Sequence, residues 1–459
     1  MLTTLRRALN AATRFRLVRA PTMGSIGAVT RLSARLLEGV EGVTAVYVRG
    51  SYARGDFRPF LSDIDFAIAV RRPQGEGYHA CRALGRRLRL VRALNPFVRD
   101  PWQTIVSEPQ WPLVSRWGRL LGTEEWRLLA GAPPWPAPGE VDRRTELAAW
   151  WNRQHFWTMT AVRQTLRRQT SLRELEASLK KARSFGRRLL APPPGSLSPE
   201  GALVELDRST ARVMGELGLA TRWRPSPERL GLPTPTERER RALRAIEAAL
   251  DLDQDGASVI AMEGFLYLVS GRAWTAEEYR VRLEALAGVQ GATGVVTFLY
   301  SAPAFALAPL TRRLRVLRAG EMLGGTAGGA EPLLLREQLL YQSLYLGTHL
   351  WVAAGRADPG PGLERHVADA LEACGFFASG TLSPDARGVR ATLAEVASLD
   401  PELWERVRGA RGLEARLAAG SAPGPAVLFE LGTLAAERLT EHLCVHGASA
   451  GGAAIAAAS

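Results

Sequence analysis

The hydrophobic pattern between positions 43 and 70 predicts two buried strands separated by a polar turn. The first apolar run, Val43–Val48, is rich in β-branched residues, and the second, Phe66–Val70, is continuously apolar. Short apolar runs of this kind are typical of strands buried on both faces. Between them Gly50 and Ser51 break the pattern, which indicates a tight turn that opens a short helix.

Two carboxylates directly precede the second run, in Asp63-Ile64-Asp65. Alternate residues of a strand face the same way, so Asp63 and Asp65 are expected to project side by side while Ile64 turns inward. Neighbouring carboxylates repel each other unless a cation lies between them, and hard oxygen ligands suit Mg²⁺ that carries a nucleoside triphosphate. Glycine allows a close approach of the backbone, and the hydroxyl of Ser51 can donate to a phosphate. The pattern therefore predicts a site for nucleotidyl transfer.

Helical spacing dominates the rest of the chain. Around the two strands we predict a helix at Ile26–Leu37, a helix with Tyr78, Cys81, Leu84, Leu88 and Val91 on its inner face, and a strand at Trp102–Val106. Further on we predict helices within Val141–Leu190, Leu203–Leu217, Glu237–Leu250, Ala276–Leu286 and Glu331–His446, and strands within Ser258–Val269 and Gly294–Leu307.

Proline-rich breaks and composition divide this pattern into domains. We expect a catalytic α/β domain at 1–131, a basic helical domain at 140–250, a mixed and mostly helical domain at 256–446, and a disordered small-residue tail at 447–459. The fold class is therefore α/β (α+β) at the N-terminus, followed by mostly helical domains.

Composition adds a basic charge balance. The 459 residues carry 59 basic and 46 acidic side chains, for a net charge of +13, which points to an anionic partner such as a nucleic acid. Only two of the basic residues are lysine, so the abundance of arginine reflects a coding bias as well as chemistry. Three widely separated cysteines imply no disulfide framework, as in a reducing cytoplasm, and no transmembrane segment is expected.

The most basic stretch is Val141–Leu190, with twelve basic and four acidic residues. Both lysines, Lys180 and Lys181, lie in it, where a compact point charge is favoured over the guanidinium used elsewhere. Arginines also cover one face of the predicted helix between Arg82 and Arg92. These charges form either solvated faces or a surface that contacts nucleic acid or phosphate.

Two smaller motifs have two interpretations each. The acidic segment Asp251–Asp255 imitates the start of a calcium loop, but its glutamate, Glu263, comes one residue late, which favours an acidic turn. His349 and Trp351, with Tyr341 and Tyr345, either stack on a nucleobase or belong to a helix core; the core is the favoured interpretation.

The residues around the two strands resemble a known superfamily. Gly50-Ser51-Tyr52-Ala53-Arg54-Gly55, then Arg58-Pro59 and Ser62-Asp63-Ile64-Asp65, look like the signature of the nucleotidyltransferase superfamily that includes DNA polymerase beta, and most of all like its minimal nucleotidyltransferases. One extra residue, Phe60 or Leu61, lies in the gap. The resemblance implies a polymerase-beta-like fold, nucleotide binding by Gly50, Ser51 and Arg54, Mg²⁺ binding by Asp63 and Asp65, and a lysine of the following helical domain, Lys180 or Lys181, at the triphosphate.

The third carboxylate of the superfamily has no clear counterpart in this chain. The resemblance places it on the strand near Gln103 or Thr104, and neither residue can carry a negative charge. Asp100 and Glu108 flank the strand and would replace it in a shifted register, although a solvated Glu108 is the favoured interpretation.

The sequence therefore predicts a Mg²⁺-dependent nucleotidyltransferase, which moves an NMP from an NTP to an acceptor hydroxyl and releases pyrophosphate. RNA is the acceptor that the charge favours. Small molecules, as in aminoglycoside nucleotidyltransferases, and protein hydroxyls stay open. The alternative, suggested by Gln103, is a nucleotide-binding regulatory protein with weakened turnover.

Overall fold

The fold is known from a computed structural model. It describes residues 15–60, 62–71, 77–98, 103–137, 139–148, 199–217, 222–223, 235–262, 265–300, 315–318, 322–323, 343, 346–379, 388–410, 412–419 and 423–446.

The N-terminal sheet is mixed and has four strands in the order β3-β2-β1-β4. They are β1 (Val43–Arg49), β2 (Asp65–Val70), β3 (Thr104–Ser107) and β4 (Arg127–Gly131). β1 runs antiparallel to β2 and β4, and β3 runs parallel to β2. The continuous apolar runs are confirmed as strands buried on both faces, since Ala45 to Val48 and Phe66 to Val70 are all buried.

Helices flank this sheet. They are α1 (Arg16–Glu38), α2 (Gly50–Arg54), α3 (Gly77–Leu94) and α4 (Trp111–Leu121), with short 3₁₀ turns at Glu108–Gln110 and Thr123–Glu125. The predicted inner face of α3 is largely confirmed, because Cys81, Leu84, Leu88 and Val91 are buried. α3 packs against α1. The fold class predicted for this part of the chain is correct.

The chain forms two compact units that interleave along the sequence. The first comprises Met1–Val141, Leu339–Ser379 and Ala386–Gly447, and the second comprises Asp142–Gln338, Gly380–Asp385 and Ala448–Ser459. The domain boundaries predicted from composition follow the chain linearly and stay a prediction.

The second unit contains a further four-stranded sheet in the order β8-β7-β6-β9. The described elements of this unit are α5 (Pro199–Leu217), β5 (Arg222–Trp223), α6 (Glu237–Ala249), β6 (Ser258–Met262), β7 (Phe265–Val269), α7 (Ala276–Thr293), β8 (Thr297–Tyr300), β9 (Arg315–Arg318) and β10 (Met322–Leu323). The motif that imitates a calcium loop is a turn, and its Asp255 is buried against the guanidinium of Arg282. This contact supports the acidic-turn interpretation.

The C-terminal helices belong to the first unit. They are the helical stretch 346–354, α8 (Gly360–Ser379), α9 (Gly388–Leu399), α10 (Pro401–Gly409), α11 (Leu413–Ala418), α12 (Pro425–Glu441) and a π-helical turn at His442–His446. α12 packs against α8 and α10. Trp351 is buried, which favours a core role over base stacking for this residue. Tyr341 and Tyr345 lie outside the described residues.

The stretch 346–354 packs on the edge of the N-terminal sheet. The hydroxyl of Thr348 accepts from the backbone N–H of Ile105 at 2.9 Å and donates to the carbonyl oxygen of Ile105 at 3.0 Å. β3 is an edge strand whose backbone groups would otherwise lack partners, so this contact closes the edge. A Cβ atom on Gly85 of α3 would clash with the backbone of Gly355, which shows how closely the two segments approach.

None of the described helices is long and apolar enough to cross a membrane.

Candidate active site

The predicted glycine turn and the second predicted carboxylate lie against each other. Gly50 opens α2 with a φ of +69°, and a Cβ atom placed on it would lie 3.2 Å from Oδ2 of Asp65. The preceding residue, Arg49, is the register partner of Asp65 in the β1–β2 pair. The antiparallel hairpin therefore brings the turn after β1 to the first residue of β2. α2 has only five residues, so its free N–H groups and the hydroxyl of Ser51 matter more than a helix dipole.

We expect Gly50→Ala to impair both the site and the fold locally. The left-handed backbone costs a non-glycine residue about 1–2 kcal/mol, and the added methyl group would press on the Asp65 carboxylate. Thermal unfolding should show a small loss of stability, and nucleotidyl transfer should fall more than the folded fraction does. Gly55→Ala is the control: its φ is +83°, but no atom lies within 4 Å of its Cβ position. Equal activity losses in both variants would contradict the role of the Gly50–Asp65 contact.

The segment that carries Asp63 is held by aromatic side chains. Tyr52 packs edge-on against Phe57, and both Phe57 and Phe60 contact Phe97. The backbone N–H of Ile64 donates to the carbonyl oxygen of Phe97 at 2.9 Å. Ile64 is fully buried, as predicted.

The two carboxylates differ in exposure, since Asp63 is exposed and Asp65 is half-buried. Asp63 lies two residues before Asp65, the first residue of β2, on the segment that the aromatic contacts hold.

One of the two candidates for the extra residue in the signature gap, Phe60, has an unusual backbone conformation. Phe60 has a φ of +67°, and it is the one non-glycine residue with a positive φ among those that the structure describes. A left-handed phenylalanine is strained, and such strain persists only where surrounding contacts hold it. Leu61, the other candidate for the extra residue, lies outside the described residues.

Arg54 contacts two carboxylates. Its Nη1 lies 3.3 Å from Oε2 of Glu125, and its Nε lies 3.6 Å from Oδ1 of Asp56. The Arg54 side chain is 43% exposed, so these pairs contribute little to stability and can be exchanged for a ligand. The sequence did not indicate Glu125, because it lies 71 residues from Arg54 along the chain.

An aromatic wall lies on the same face of the sheet as Asp65. Tyr47 is opposite Ala67, and Ala67 shares a strand face with Asp65. The Tyr47 ring stacks on Trp135 and contacts Trp126. Burial raises the pKa of Tyr47 to about 12, so its phenol is protonated at neutral pH and is not a general base.

The strand that should supply a third carboxylate offers none among its described residues. Thr104 is opposite Ala67, so it lies on the Asp65 face, but it carries no charge. Gln103 is buried, and its Oε1 accepts from the backbone N–H of Phe66, the residue after Asp65. Gln103 therefore fixes the start of β2.

The structure excludes Glu108 as a replacement. It follows Ser107, the register partner of Val70 at the far end of β2, five residues from Asp65. At about 3.3 Å per residue, the end of the strand that precedes Glu108 lies roughly 16 Å from Asp65. Glu108 lies 3.9 Å from Arg71 instead. Asp100 lies outside the described residues.

Gln103→Glu should therefore not raise the rate of transfer, because the side chain at this position is directed to the Phe66 backbone and not to the acceptor. Gln103→Ala should lower stability by about 1–3 kcal/mol, since it leaves the buried Phe66 N–H without an acceptor. The measurements are urea denaturation and steady-state transfer for both variants. A rate gain of tenfold or more for Gln103→Glu would place the missing carboxylate at this position.

Asp63 and Asp65 fit the donor chemistry of Mg²⁺, which proteins bind through one or two carboxylates together with substrate phosphates and water. Within the described part of the chain, no group of three His, Cys, Asp or Glu side chains gathers as a ligand set. Bound there, Mg²⁺ would neutralise phosphate charge and polarise the reacting phosphorus.

The remaining predicted residues fall into two groups. Lys180 and Lys181, with nearly all of the basic stretch Val141–Leu190, lie outside the described residues. On α3, Arg82 donates to the carbonyl oxygen of Arg356, and Arg89 donates to that of Gly355 at 2.9 Å. These two arginines hold the C-terminal helices, which leaves a smaller basic surface on α3 than the sequence suggested.

Comparison with known proteins gives one match. Residues 29–114 match the family model described as "Nucleotidyltransferase domain". No curated protein and no solved structure matches the chain. The matched segment runs from α1 to α4, and it contains the Gly50 turn, both carboxylates and the Gln103 strand. The chain therefore carries a nucleotidyltransferase domain, at residues 29–114, of the superfamily that includes DNA polymerase beta.

Proposed function

We propose that this protein transfers an NMP from an NTP to an acceptor hydroxyl with the help of Mg²⁺ and releases pyrophosphate. The observation that carries the proposal is the contact between Gly50 and the Asp65 carboxylate. The Asp65 carboxylate lies so close that a Cβ atom on Gly50 would be 3.2 Å from its Oδ2, which joins a turn suited to phosphate with a carboxylate suited to a cation. The matched nucleotidyltransferase domain supports the same reaction class.

Each residue of the site has a defined task in this reaction. The backbone at Gly50 and the hydroxyl of Ser51 donate to the triphosphate, and Asp63 and Asp65 hold the metal. The acceptor oxygen forms a bond to the α-phosphorus, the bond between that phosphorus and the β-phosphate oxygen breaks, and pyrophosphate leaves. The hydroxyl releases its proton to water in this step; among the described residues Thr104 is uncharged and Glu108 lies at the far end of the strand, so neither accepts it.

The proposal also assigns two cationic roles. Arg54 exchanges Glu125 for a phosphate oxygen, because its present pairs are exposed and weak. Lys180 or Lys181 neutralises the triphosphate charge, as the resemblance to the superfamily implies.

The acceptor is proposed to be RNA on the basis of the net charge of +13. The use of Arg82 and Arg89 in internal contacts weakens this argument, so small hydroxylated molecules are tested alongside it. RNA binding should weaken linearly with the logarithm of salt concentration, with a slope of about −0.7 for each neutralised phosphate of a single strand.

The test is incubation of the full chain with Mg²⁺ and each labelled NTP, together with short RNA or with hydroxylated small molecules. Product masses are expected to rise by one nucleotide unit, with pyrophosphate released in equal amount. The acceptor that gains mass identifies the substrate class. NTP that neither binds nor reacts under any of these conditions would refute the proposal.

A second candidate is a nucleotide-binding protein with weak turnover. The observation that favours it is the lack of a carboxylate among the residues of β3, together with the position of Glu108 beyond the far end of this strand. Loss of general-base help costs on the order of 10²–10⁴ in rate. Saturable NTP binding without transfer to any acceptor would favour this candidate.

A further inference from the structure

The sheet of the second unit repeats the topology of the nucleotidyltransferase sheet. The N-terminal sheet has the order β3-β2-β1-β4, and the second has the order β8-β7-β6-β9. The directions also agree. The first strand of each set is antiparallel to the second and fourth strands, and the third strand is parallel to the second.

The helices follow the same plan. α1 precedes β1, and α3 connects β2 to β3; in the second unit α6 precedes β6, and α7 connects β7 to β8. In each unit these two helices pack against each other. Both sheets also have a register irregularity where the first strand pairs with the fourth, between Val46 and Tyr47 and between Val259 and Ile260.

This agreement goes beyond the usual habits of sheets. Strands that are consecutive in sequence tend to be neighbours, which would favour the order β6-β7-β8-β9 with β6 and β9 at the edges. In both sheets, however, the fourth strand returns to pair with the first. The two sheets share this non-sequential order, all strand directions, the helix placement and the register irregularity. Together these features indicate that one fold is used twice.

The second set has no room for the catalytic segment. Between β1 and β2 lie residues 50–64, which include the glycine turn, α2 and Asp63. Between β6 and β7 lie only residues 263 and 264. β2 begins with Asp65, whereas β7 begins with Phe265, whose ring contacts Phe298.

The buried carboxylate of Asp255, in the turn before β6, is paired with two arginines. Asp255 is 1% exposed and accepts hydrogen bonds from Arg282, and Arg272 lies 2.9 Å from the same carboxylate. The strand residues of β6 and β7 with described burial, except Phe265, are buried and uncharged. Among the described residues, this sheet therefore offers no carboxylate at the edge where Asp65 lies in the first, and Glu263, in the turn before β7, lies outside them.

We propose that residues 237–318 form a second fold of the nucleotidyltransferase type that has lost its catalytic segment, so that the chain is an internal duplication with one Mg²⁺–NTP site. The repeat serves as a scaffold, and nucleotide binding depends on the first copy alone.

The first experiment counts sites by equilibrium binding of a non-hydrolysable ATP or GTP analogue with Mg²⁺ to the full chain. One site per chain is expected, and Asp65→Asn should remove it. Asp253→Asn, which neutralises a 92% exposed carboxylate in the second unit, should leave the site intact. A second site, or a site that survives Asp65→Asn and is lost in Asp253→Asn, would overturn the non-catalytic assignment.

A crystal structure of the full chain tests the duplication independently of nucleotide. α6, β6, β7, α7, β8 and β9 are expected to superpose on α1, β1, β2, α3, β3 and β4 in one sequential alignment. A different strand order or direction in the second sheet would overturn the duplication. If neither analogue binds at all, the proposed function fails while this superposition still decides the repeat.

Discussion

Asp65→Asn is expected to reduce nucleotidyl transfer by about 10³-fold while the protein stays folded. Asparagine keeps the shape of the side chain but removes the charge that would hold the metal beside Gly50. Metal ions contribute several kcal/mol of transition-state stabilisation, and each 1.36 kcal/mol corresponds to a factor of ten in rate. Stability should change little, because the carboxylate is half-buried and asparagine keeps the shape of its side chain.

Asp56→Asn is the matched control for this variant. Asp56 lies on the same segment between β1 and β2, and its side chain is 65% exposed. Neutralising it changes the net charge by the same amount, yet transfer should stay within about threefold of the wild-type rate, a barrier change under 1 kcal/mol. Steady-state rates and thermal melts without Mg²⁺ are measured for both variants. If melts fall sharply for Asp65→Asn and activity follows the folded fraction, Asp65 is structural and the metal role is wrong.

The sequence predicted the two strands and the turn of the candidate site because their signals are local. Continuous apolar runs indicated β1 and β2, and the break at Gly50 marked the turn between them. A glycine at this position is now explained by its φ of +69° and by the closeness of Asp65. The positive φ of Gly50 and its closeness to Asp65 both arise within the β1–β2 hairpin. The residues that determine them are therefore close together in the sequence.

The features that the sequence did not predict arise from contacts between distant residues. Gln103 bonds the Phe66 backbone 37 positions away, and Arg54 pairs with Glu125 at a separation of 71. Neither pairing leaves a periodic trace in the sequence. The positive φ of Phe60 also depends on surrounding contacts, which the sequence does not show.

The association of the C-terminal helices with the catalytic sheet is the most distant of these contacts. Thr348 bonds Ile105 across 243 residues, and Cys81 contacts the Trp351 backbone across 270. The domain boundaries predicted from composition follow the order of the chain. Amphipathic patterns show which face of a helix is buried, but they do not show which distant segment covers that face. The hydrogen bonds between Thr348 and the Ile105 backbone show that a helical stretch far along the chain covers the edge strand β3 at this residue.

Asp400→Ala is expected to lower the free energy of unfolding of the first unit by about 3 kcal/mol. The Asp400 side chain is 1% exposed, and it accepts hydrogen bonds from Arg438, from the backbone N–H of Leu403 and, at 3.1 Å, from His442. Its removal leaves the 11% exposed Arg438 without its buried partner, although Arg438 keeps its pairs with the more exposed Glu402 and Glu441, and it uncaps α10. Glu405→Ala on the same helix is the control, because that side chain is 67% exposed and pairs only at the surface with Arg408.

The effect of Asp400 should depend on pH with a definite sign. Burial alone would raise the pKa of Asp400, but the hydrogen bonds from His442, Arg438 and Leu403 outweigh it and hold the pKa well below its ordinary range. A depressed carboxylate pKa contributes stability above the unfolded value, about 3.9, and loses it as the pH falls. The stability difference between the wild type and Asp400→Ala, measured by urea denaturation, should therefore narrow by about 1 kcal/mol between pH 5 and pH 3.

A constant or widening difference over this range would contradict the ion-pair account of Asp400 and would indicate that the variant acts through lost packing.

The same variant also tests whether the C-terminal helices support catalysis. They close the edge of β3, the strand next to the one that begins with Asp65, so partial unfolding of these helices should lower transfer at temperatures where the wild type is unaffected. Glu405→Ala, which leaves the buried network intact, should show no such loss.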